Sequence, residues 1–398
     1  MIGIRIGRRA ALAGSLAAVA SPAVVRAQAD PIKIATLTPL TGAGGSYGPT
    51  MAKVAASVVE EVNKAGGVLG RRVVLVSEDD QTSPEPAVRA ARKLIDVDKV
   101  AAIMGTWASS VTTAVAPLCW ESKTFLCTVS GADSITLLPH QGFLIRTQPN
   151  STLQVTRVGE FILSLGAKKV FTMIPQTPFT QATFDILNAV LPKGGATHQS
   201  LIYDDKKTTY RTEVDQALRT SPDVILANGY TPDSIVLLKD LYRAGFKGKI
   251  LGFAYSINQK LIDQIGQPEV VEGVYTFAPS PAEGSTAYEK VKALVGSANP
   301  DPYTCQVYDH TNMVLMSMAF AKQASGTAIK DNIRKVTQGG GKPVDNAADG
   351  IKAIAAGEKV DYSGASGPCD FDDKGDILDC KFRYEQIKSG KFTVVKIA

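Results

Sequence analysis

A β-branched apolar run over residues 32–37 breaks at Pro39 into a glycine loop (Gly42, Gly44, Gly45, Gly48). A long segment with apolar residues at helical spacing follows and stops at Gly66-Gly67. This predicts a strand, a ligand-sized loop and a helix. The same alternation continues with strands at 73–78, 100–104 and 124–128 and helices at 86–97 and 109–121. At 142–150 (GFLIRTQPN) the rhythm resets, and a second series runs through helices at 154–165, 181–191, 210–220 and 234–244 and strands at 169–174, 197–202, 224–227 and 249–253. It breaks again near 273–281, after which helices are expected at 285–296, 305–325, 328–336 and 346–355, and then a hairpin of 376–386 with 390–398.

Strands that alternate with helices imply a mostly parallel, doubly wound α/β sheet, and two such series imply two lobes. The expected organisation is a first lobe of 30–146 plus about 279–378 and a second of 147–278 plus about 379–398. The chain then crosses between lobes near 145, 278 and 380, which makes a multi-strand hinge. A hinge between α/β lobes leaves a cleft at the strand ends, where open sheets bind ligands.

Charge changes the picture at the N-terminus. Residues 1–29 contain arginines at 5, 8, 9 and 26, no acids, and an apolar stretch over 10–25 before Ala27-Gln28-Ala29. That is the layout of a cleaved export signal, and Arg8-Arg9 fits a Sec or a twin-arginine route alike. Its removal would take four arginines from the +5 chain and leave 369 residues at +1, so the basic balance does not imply nucleic acid. No later stretch approaches the ~18 apolar residues of a spanning helix. A monomer in the periplasm is expected.

Glycine loops entering helices commonly hold phosphate, yet both nucleotide patterns fail here. After Gly42 and Gly44 the dinucleotide motif needs glycine where Tyr47 stands, and a P-loop needs lysine where Gly48-Pro49-Thr50 has none. The five cysteines would lie in an oxidising compartment. Cys369 and Cys380 bracket a turn at Lys374-Gly375 and are the expected disulfide. Cys119 and Cys127 could form a second pair, although Cys127 also fits a buried strand position. Three scattered histidines give no metal spacing, and no metal or cofactor is expected.

Taken in order, IKIATLTPLTGAGGSYG, EVNKAGGVLGRRVVLVSEDDQTSPEPAVRAARKLI, AAIMGTWASSVTTAVAP, FLIRTQPN, ILANGYTPDSIVLLKDLYRAGFKGKILG and GPCDFDDKGDI resemble the leucine/isoleucine/valine-binding proteins. These are the periplasmic substrate-binding components of branched-chain amino-acid ABC transporters, with a type I periplasmic binding fold. The resemblance covers essentially all of the chain after residue 29. It implies that a ligand carboxylate is held at a helix N-terminus by positions matching Ser109, Ser130 and Ala132, with side-chain walls at Tyr47, Phe179 and Tyr230. Trp107 shares the strand-to-helix turn of Ser109, and Ser109-Ser110 can cap the helix that follows. A membrane permease is the implied partner.

One departure bears on the ligand. The amino-acid binders clamp the ligand ammonium with two carboxylates, and the matching positions here are Ser151 and Ala254. A buried ammonium without a carboxylate costs several kcal/mol. The expected ligand is therefore an apolar or aromatic carboxylate without the amine, unless Asp133 or Glu283 takes over that role. The alternative is leucine, isoleucine, valine or another amino acid or amide. Thr82 and Ala108 stand near the positions of the family's first-lobe disulfide. An enzyme of similar fold is the rival class, but neither G-x-S-x-G nor H-E-x-x-H occurs. A ligand-sensing receptor lobe would carry a span or signalling domain beyond residue 398, and none is expected.

Overall fold

The computed structural model describes residues 30–398, so the export-signal expectation lies outside the described residues. The first sheet has five parallel strands, β1 (Ile32–Thr38), β2 (Val73–Asp79), β3 (Ala102–Thr106), β4 (Phe125–Thr128) and β5 (Leu144–Arg146), in the order β2-β1-β3-β4-β5. Its crossovers are α1 (Gly48–Lys64), α2 (Pro84–Arg92) and α3 (Ser109–Ser122). Residues Lys93–Val97, expected to continue α2, widen into a π-turn.

The chain then enters a seven-stranded sheet. Helix α4 (Ser151–Ser164) leads to β6 (Lys169–Pro175), α5 (Pro178–Val190), β7 (Thr197–Tyr203), α6 (Arg211–Leu218), β8 (Val224–Ala227), α7 (Thr231–Arg243), β9 (Lys249–Phe253), the short helices α8 (Gln259–Ile265) and α9 (Pro268–Val271), and β10 (Tyr275–Pro279). After β10 it returns to the first sheet's core through α10 (Thr286–Val295), α11 (Pro302–Ala321), α12 (Gly326–Thr337) and α13 (Ala347–Ala355). Strands β11 (Lys342–Val344) and β12 (Val360–Tyr362) pair in parallel as a small separate ladder. The hairpin β13 (Phe382–Lys388) and β14 (Lys391–Ile397) closes the second sheet, in the order β14-β13-β10-β9-β8-β6-β7. No described helix is long and apolar enough to cross a membrane.

The buried strands explain the sheets. β3, β4 and β8 are enclosed on both faces, as near-continuous apolar runs require in a parallel sheet. Helix α11 is buried along nearly its whole length although it carries polar residues, because most of their polar groups are partnered. The Asp309 carboxylate accepts from the Ala365 and Ser366 N–H groups, both at 2.8 Å, and from the Tyr362 hydroxyl at 2.8 Å. Burial nevertheless pushes Asp309 up to about 6. His310 shares a hydrogen bond of 2.7 Å with Thr147, and burial lowers its pKa to about 3, which keeps the ring neutral.

The expected Cys369–Cys380 disulfide is not formed, and all five cysteines are free. The turn at Lys374-Gly375 does form, but its ladder pairs Phe371 with Ile377. Extended by two positions, that register sets Cys369 opposite Asp379, one residue short of Cys380, and a one-residue offset turns side chains to opposite faces. The Cys369 thiol accordingly reaches the Gly367 carbonyl at 3.6 Å, and the Cys380 thiol donates to the Lys381 carbonyl at 3.1 Å. Cys119 and Cys127 are buried thiols, and desolvation pushes Cys119 up to about 12.

Candidate functional site

Both sheets carry the same 2-1-3-4-5 strand order in their parallel part, and each therefore has one switch point where successive crossovers leave in opposite directions. In the first sheet it lies between β1 and β3, and in the second between β6 and β8. The loops leaving these four strands face each other across the cleft. Between them lies a cavity of about 60 Å³, partly open to solvent, lined by Trp107 and Ser109 from one side and Phe179, Asn228, Tyr230 and Tyr255 from the other.

Trp107 is the centre of this site. Its ring centroid lies 5.5 Å from Tyr47, 5.7 Å from Tyr230, 5.8 Å from Tyr303 and 6.0 Å from Tyr255, so it touches aromatic rings of both lobes. Local geometry puts it there. Gly105, at φ +87°, interrupts the β3–β4 register and redirects the chain before Trp107. Gly44 supplies the bed, since a Cβ there would stand 2.8 Å from the indole. The glycine loop thus accommodates a ring, where a P-loop would cradle phosphate.

Helices α3, α5 and α7 begin at the cavity. The second-lobe starts are satisfied internally, by the reciprocal Thr177–Thr180 capping box at α5 and by Asp233, which accepts from the Tyr230 N–H at 2.8 Å, at α7. Helix α3 is different: its N-cap is Ala108, with no side-chain cap. The Ser109 hydroxyl accepts from the Ala132 N–H at 3.2 Å, which leaves its own proton available to an acceptor in the cavity. Ser130, by contrast, is consumed within the lobe, donating to the Trp107 carbonyl at 2.8 Å and meeting Thr112 at 2.6 Å.

Residues 31–391 match the family model described as periplasmic binding protein. The chain belongs to the periplasmic binding protein family. It is 25% identical over 364 residues to the Leu/Ile/Val-binding protein homolog 3 of Brucella melitensis, covering 89% of this chain and 95% of that one. Among solved structures it is similar to the leucine-binding protein LivK of Thermotoga maritima, with TM-score 0.77, 23% identity and coverage of 92% and 98%. It is also similar to a solute-binding protein of an ABC transporter from Rhodopseudomonas palustris HaA2, solved in complex with p-hydroxybenzoic acid, with TM-score 0.76, 17% identity and coverage of 93% and 97%. The two-lobed type I fold is thereby established, and the family is one of substrate-binding proteins, not enzymes.

In this periplasmic binding protein, Tyr47 and Ala254 meet each other outside the cavity lining. The Tyr47 hydroxyl donates to the Ala254 carbonyl at 3.2 Å and accepts from the Asn258 amide at 2.7 Å, which joins the two lobes. Ala132 likewise stands behind Ser109 and not in the wall. Trp107, Ser109, Phe179 and Tyr230 are in the wall, together with Gln148, Gln154, Asn228, Tyr255 and Tyr303, which sequence reasoning did not select. A signal existed for Asn228, two residues before Tyr230 at the end of a buried strand. None existed for Tyr303, which arrives on α11 from far along the chain.

No Asp, Glu, Lys or Arg is among the lining residues. The two acids considered as ammonium partners are engaged elsewhere. Asp133 accepts from the Thr152 N–H at 3.1 Å and its hydroxyl at 2.7 Å, and Glu283 pairs with Arg383. Ser151 donates to the Gly131 carbonyl at 2.9 Å.

Two carboxyl groups stand behind the wall. Burial pushes Asp233 up to about 6, against hydrogen bonds from Tyr203 and Tyr230. Asp80 is fully buried, one of its oxygens has no partner, and desolvation raises it from 3.8 to about 7 against a hydrogen bond from the Thr82 N–H. The folded state therefore holds the Asp80 proton that the unfolded chain has released, and this contribution to stability declines as pH rises from about 4 to about 7. Asp80→Asn should then stabilise the protein by about 2 kcal/mol more at pH 8 than at pH 5. Urea unfolding at both pH values measures this, and an equal effect at both would refute the assignment.

Proposed function

We propose that this chain is the extracytoplasmic solute-binding component of an ABC importer of the branched-chain amino-acid type, and that it captures a small carboxylate with an apolar or aromatic body. The carrying observation is the uncapped start of α3 opening into an aromatic cavity whose lining residues include no carboxylate. The ligand carboxylate completes the α3 cap, accepting from free N–H groups of the first turn and from Ser109, where the helix dipole favours negative charge. Trp107, Tyr230, Tyr255 and Tyr303 sandwich the apolar body. The second lobe closes over it, the Tyr47 contact to Ala254 and Asn258 holds the closed form, and a membrane permease receives it. The p-hydroxybenzoic acid complex of the Rhodopseudomonas palustris relative supports an aromatic acid as ligand.

A thermal-shift screen of leucine, isoleucine and valine against benzoate-type and aliphatic acids tests the reading. Ligand at 100 times its Kd stabilises by about 2.7 kcal/mol, enough to move the melting temperature. Ser109→Ala should then weaken acid binding roughly 10- to 100-fold, the usual worth of a hydrogen bond to a charged group, without unfolding the protein. A shift with amino acids alone would remove the amine-free ligand, and unchanged affinity in the variant would remove Ser109 from the site.

A further inference from the structure

The Asn228 side chain stands in the cavity wall with its hydrogen-bonding capacity unused. It follows β8, and its backbone N–H, donating to the Met173 carbonyl at 3.0 Å, fixes it beside β6. Its residue is 1% exposed, yet neither the amide oxygen nor the amide nitrogen has a hydrogen-bond partner. The Tyr255 hydroxyl lies close enough to the amide for a weak contact that eases its ionisation. The neighbouring Gln148, Gln154 and Thr177 are occupied. Gln148 donates to Gln154 at 3.0 Å and accepts from Gln306 at 2.9 Å, Gln154 donates to the Pro149 carbonyl, and Thr177 meets Thr180 at 2.8 Å. A buried amide left with both a donor and an acceptor unused is costly, which points to a group that the closed cleft receives with its ligand.

We propose that Asn228 is the second-lobe anchor of the ligand, and that the ligand is an aromatic acid with a hydroxyl remote from its carboxylate; this rests on the carboxylate reading of α3 given above. A hydroxyl donates to the amide oxygen and accepts from the amide nitrogen, so it uses both orphaned atoms at once. An ammonium would satisfy only the oxygen, and a methyl group neither. Ser109 belongs to the first lobe and Asn228 to the second, so an acid with polar groups at both ends bridges the cleft, whereas one lacking the hydroxyl leaves the amide buried and unpaired. A site of this design discriminates strongly against the analogue that lacks the hydroxyl.

Calorimetric titration of benzoate, 3-hydroxybenzoate, 4-hydroxybenzoate and 4-methoxybenzoate into the wild-type protein and Asn228→Leu tests the proposal. At least one hydroxybenzoate should bind wild type about 10-fold or more tighter than benzoate, with the methoxy acid, which cannot donate, losing that advantage. In Asn228→Leu the advantage should shrink to about 2-fold or less while benzoate still binds. Hydroxy acids no tighter than benzoate in wild type, or an advantage that survives in the variant, would overturn the role of Asn228. If the variant does not fold, the wild-type series decides alone. Binding of benzoate without hydroxyl preference removes only this inference, whereas binding of none of these acids removes the carboxylate reading as well.

Discussion

Arg146→Met is expected to destabilise the protein by about 3–5 kcal/mol, because it strips the partner from a buried carboxylate. Arg146 is fully buried at the end of β5, and its guanidinium reaches Asp376 through Nε at 2.8 Å and Nη2 at 2.5 Å. It also donates to the Ala132 carbonyl at 2.6 Å and the Thr136 hydroxyl at 3.1 Å. Burial lowers the Arg146 pKa, and Asp376 opposes that shift. The Asp376 carboxylate further accepts from Thr136 at 3.2 Å and from the Asn150 amide at 3.3 Å. One ion pair therefore ties together three segments: the loop before β5, the first crossover, and the strand returning toward β13. Urea unfolding would measure the loss, and a value under about 1 kcal/mol would contradict this account. Arg146→Met with Asp376→Leu should recover much of it, since exchanging a whole buried pair for apolar groups is often near neutral.

The pair also reaches the ligand end. The Ala132 carbonyl is an Arg146 acceptor, and the Ala132 N–H donates to Ser109, so loosening this loop misplaces the hydroxyl assigned to the carboxylate. Arg146→Met should weaken ligand binding even at temperatures where the protein stays folded. The sequence already placed Arg146 at the first crossover, in FLIRTQPN, but nothing in its pattern shows that the partner lies 230 positions away.

That contrast separates what is legible from what is not. Strand and helix periodicity is local, so the two sheets, the reset after β5 and the closing hairpin could be read from residue spacing. Elements outside that rhythm were lost, among them β5, α8, α9 and β10, none of which was expected. β11 and β12 have three residues each and lie among glycine and proline, and the π-turn at Lys93–Val97 carries no apolar signature of its own. The disulfide expectation failed because two cysteines flanking a turn say nothing about register. Within the cavity, Trp107, Ser109 and Tyr230 lie within three residues of the end of a strand, where position alone suggests a role. Tyr255 lies two residues beyond β9, and Tyr303 starts a helix of the other lobe; only the packed fold brings either to Trp107. Asn228 was passed over because an unsatisfied amide is a property of its surroundings.

Trp107→Ala should produce the largest loss of function, a fall in ligand affinity of about 100-fold or more. Trp107 touches Tyr47 and Tyr303 of the first lobe and Tyr230 and Tyr255 of the second, so its ring is both a wall of the cavity and the apolar contact that favours closure. An aromatic of this size buries ~150–250 Å², and each paired ring adds ~0.5–1.5 kcal/mol, so truncation removes several kcal/mol from the closed state. Part of that loss falls on folding, since Trp→Ala in a core costs ~3–5 kcal/mol. The two effects separate by experiment. Trp107→Phe keeps a ring against the tyrosines and should restore most of the melting temperature while recovering only part of the affinity. Small-angle scattering with saturating ligand should show the wild type compacting and Trp107→Ala failing to compact at the same concentration. Full affinity in Trp107→Ala would mean that the tyrosines alone form the apolar wall, and that the bed supplied by Gly44 serves folding only.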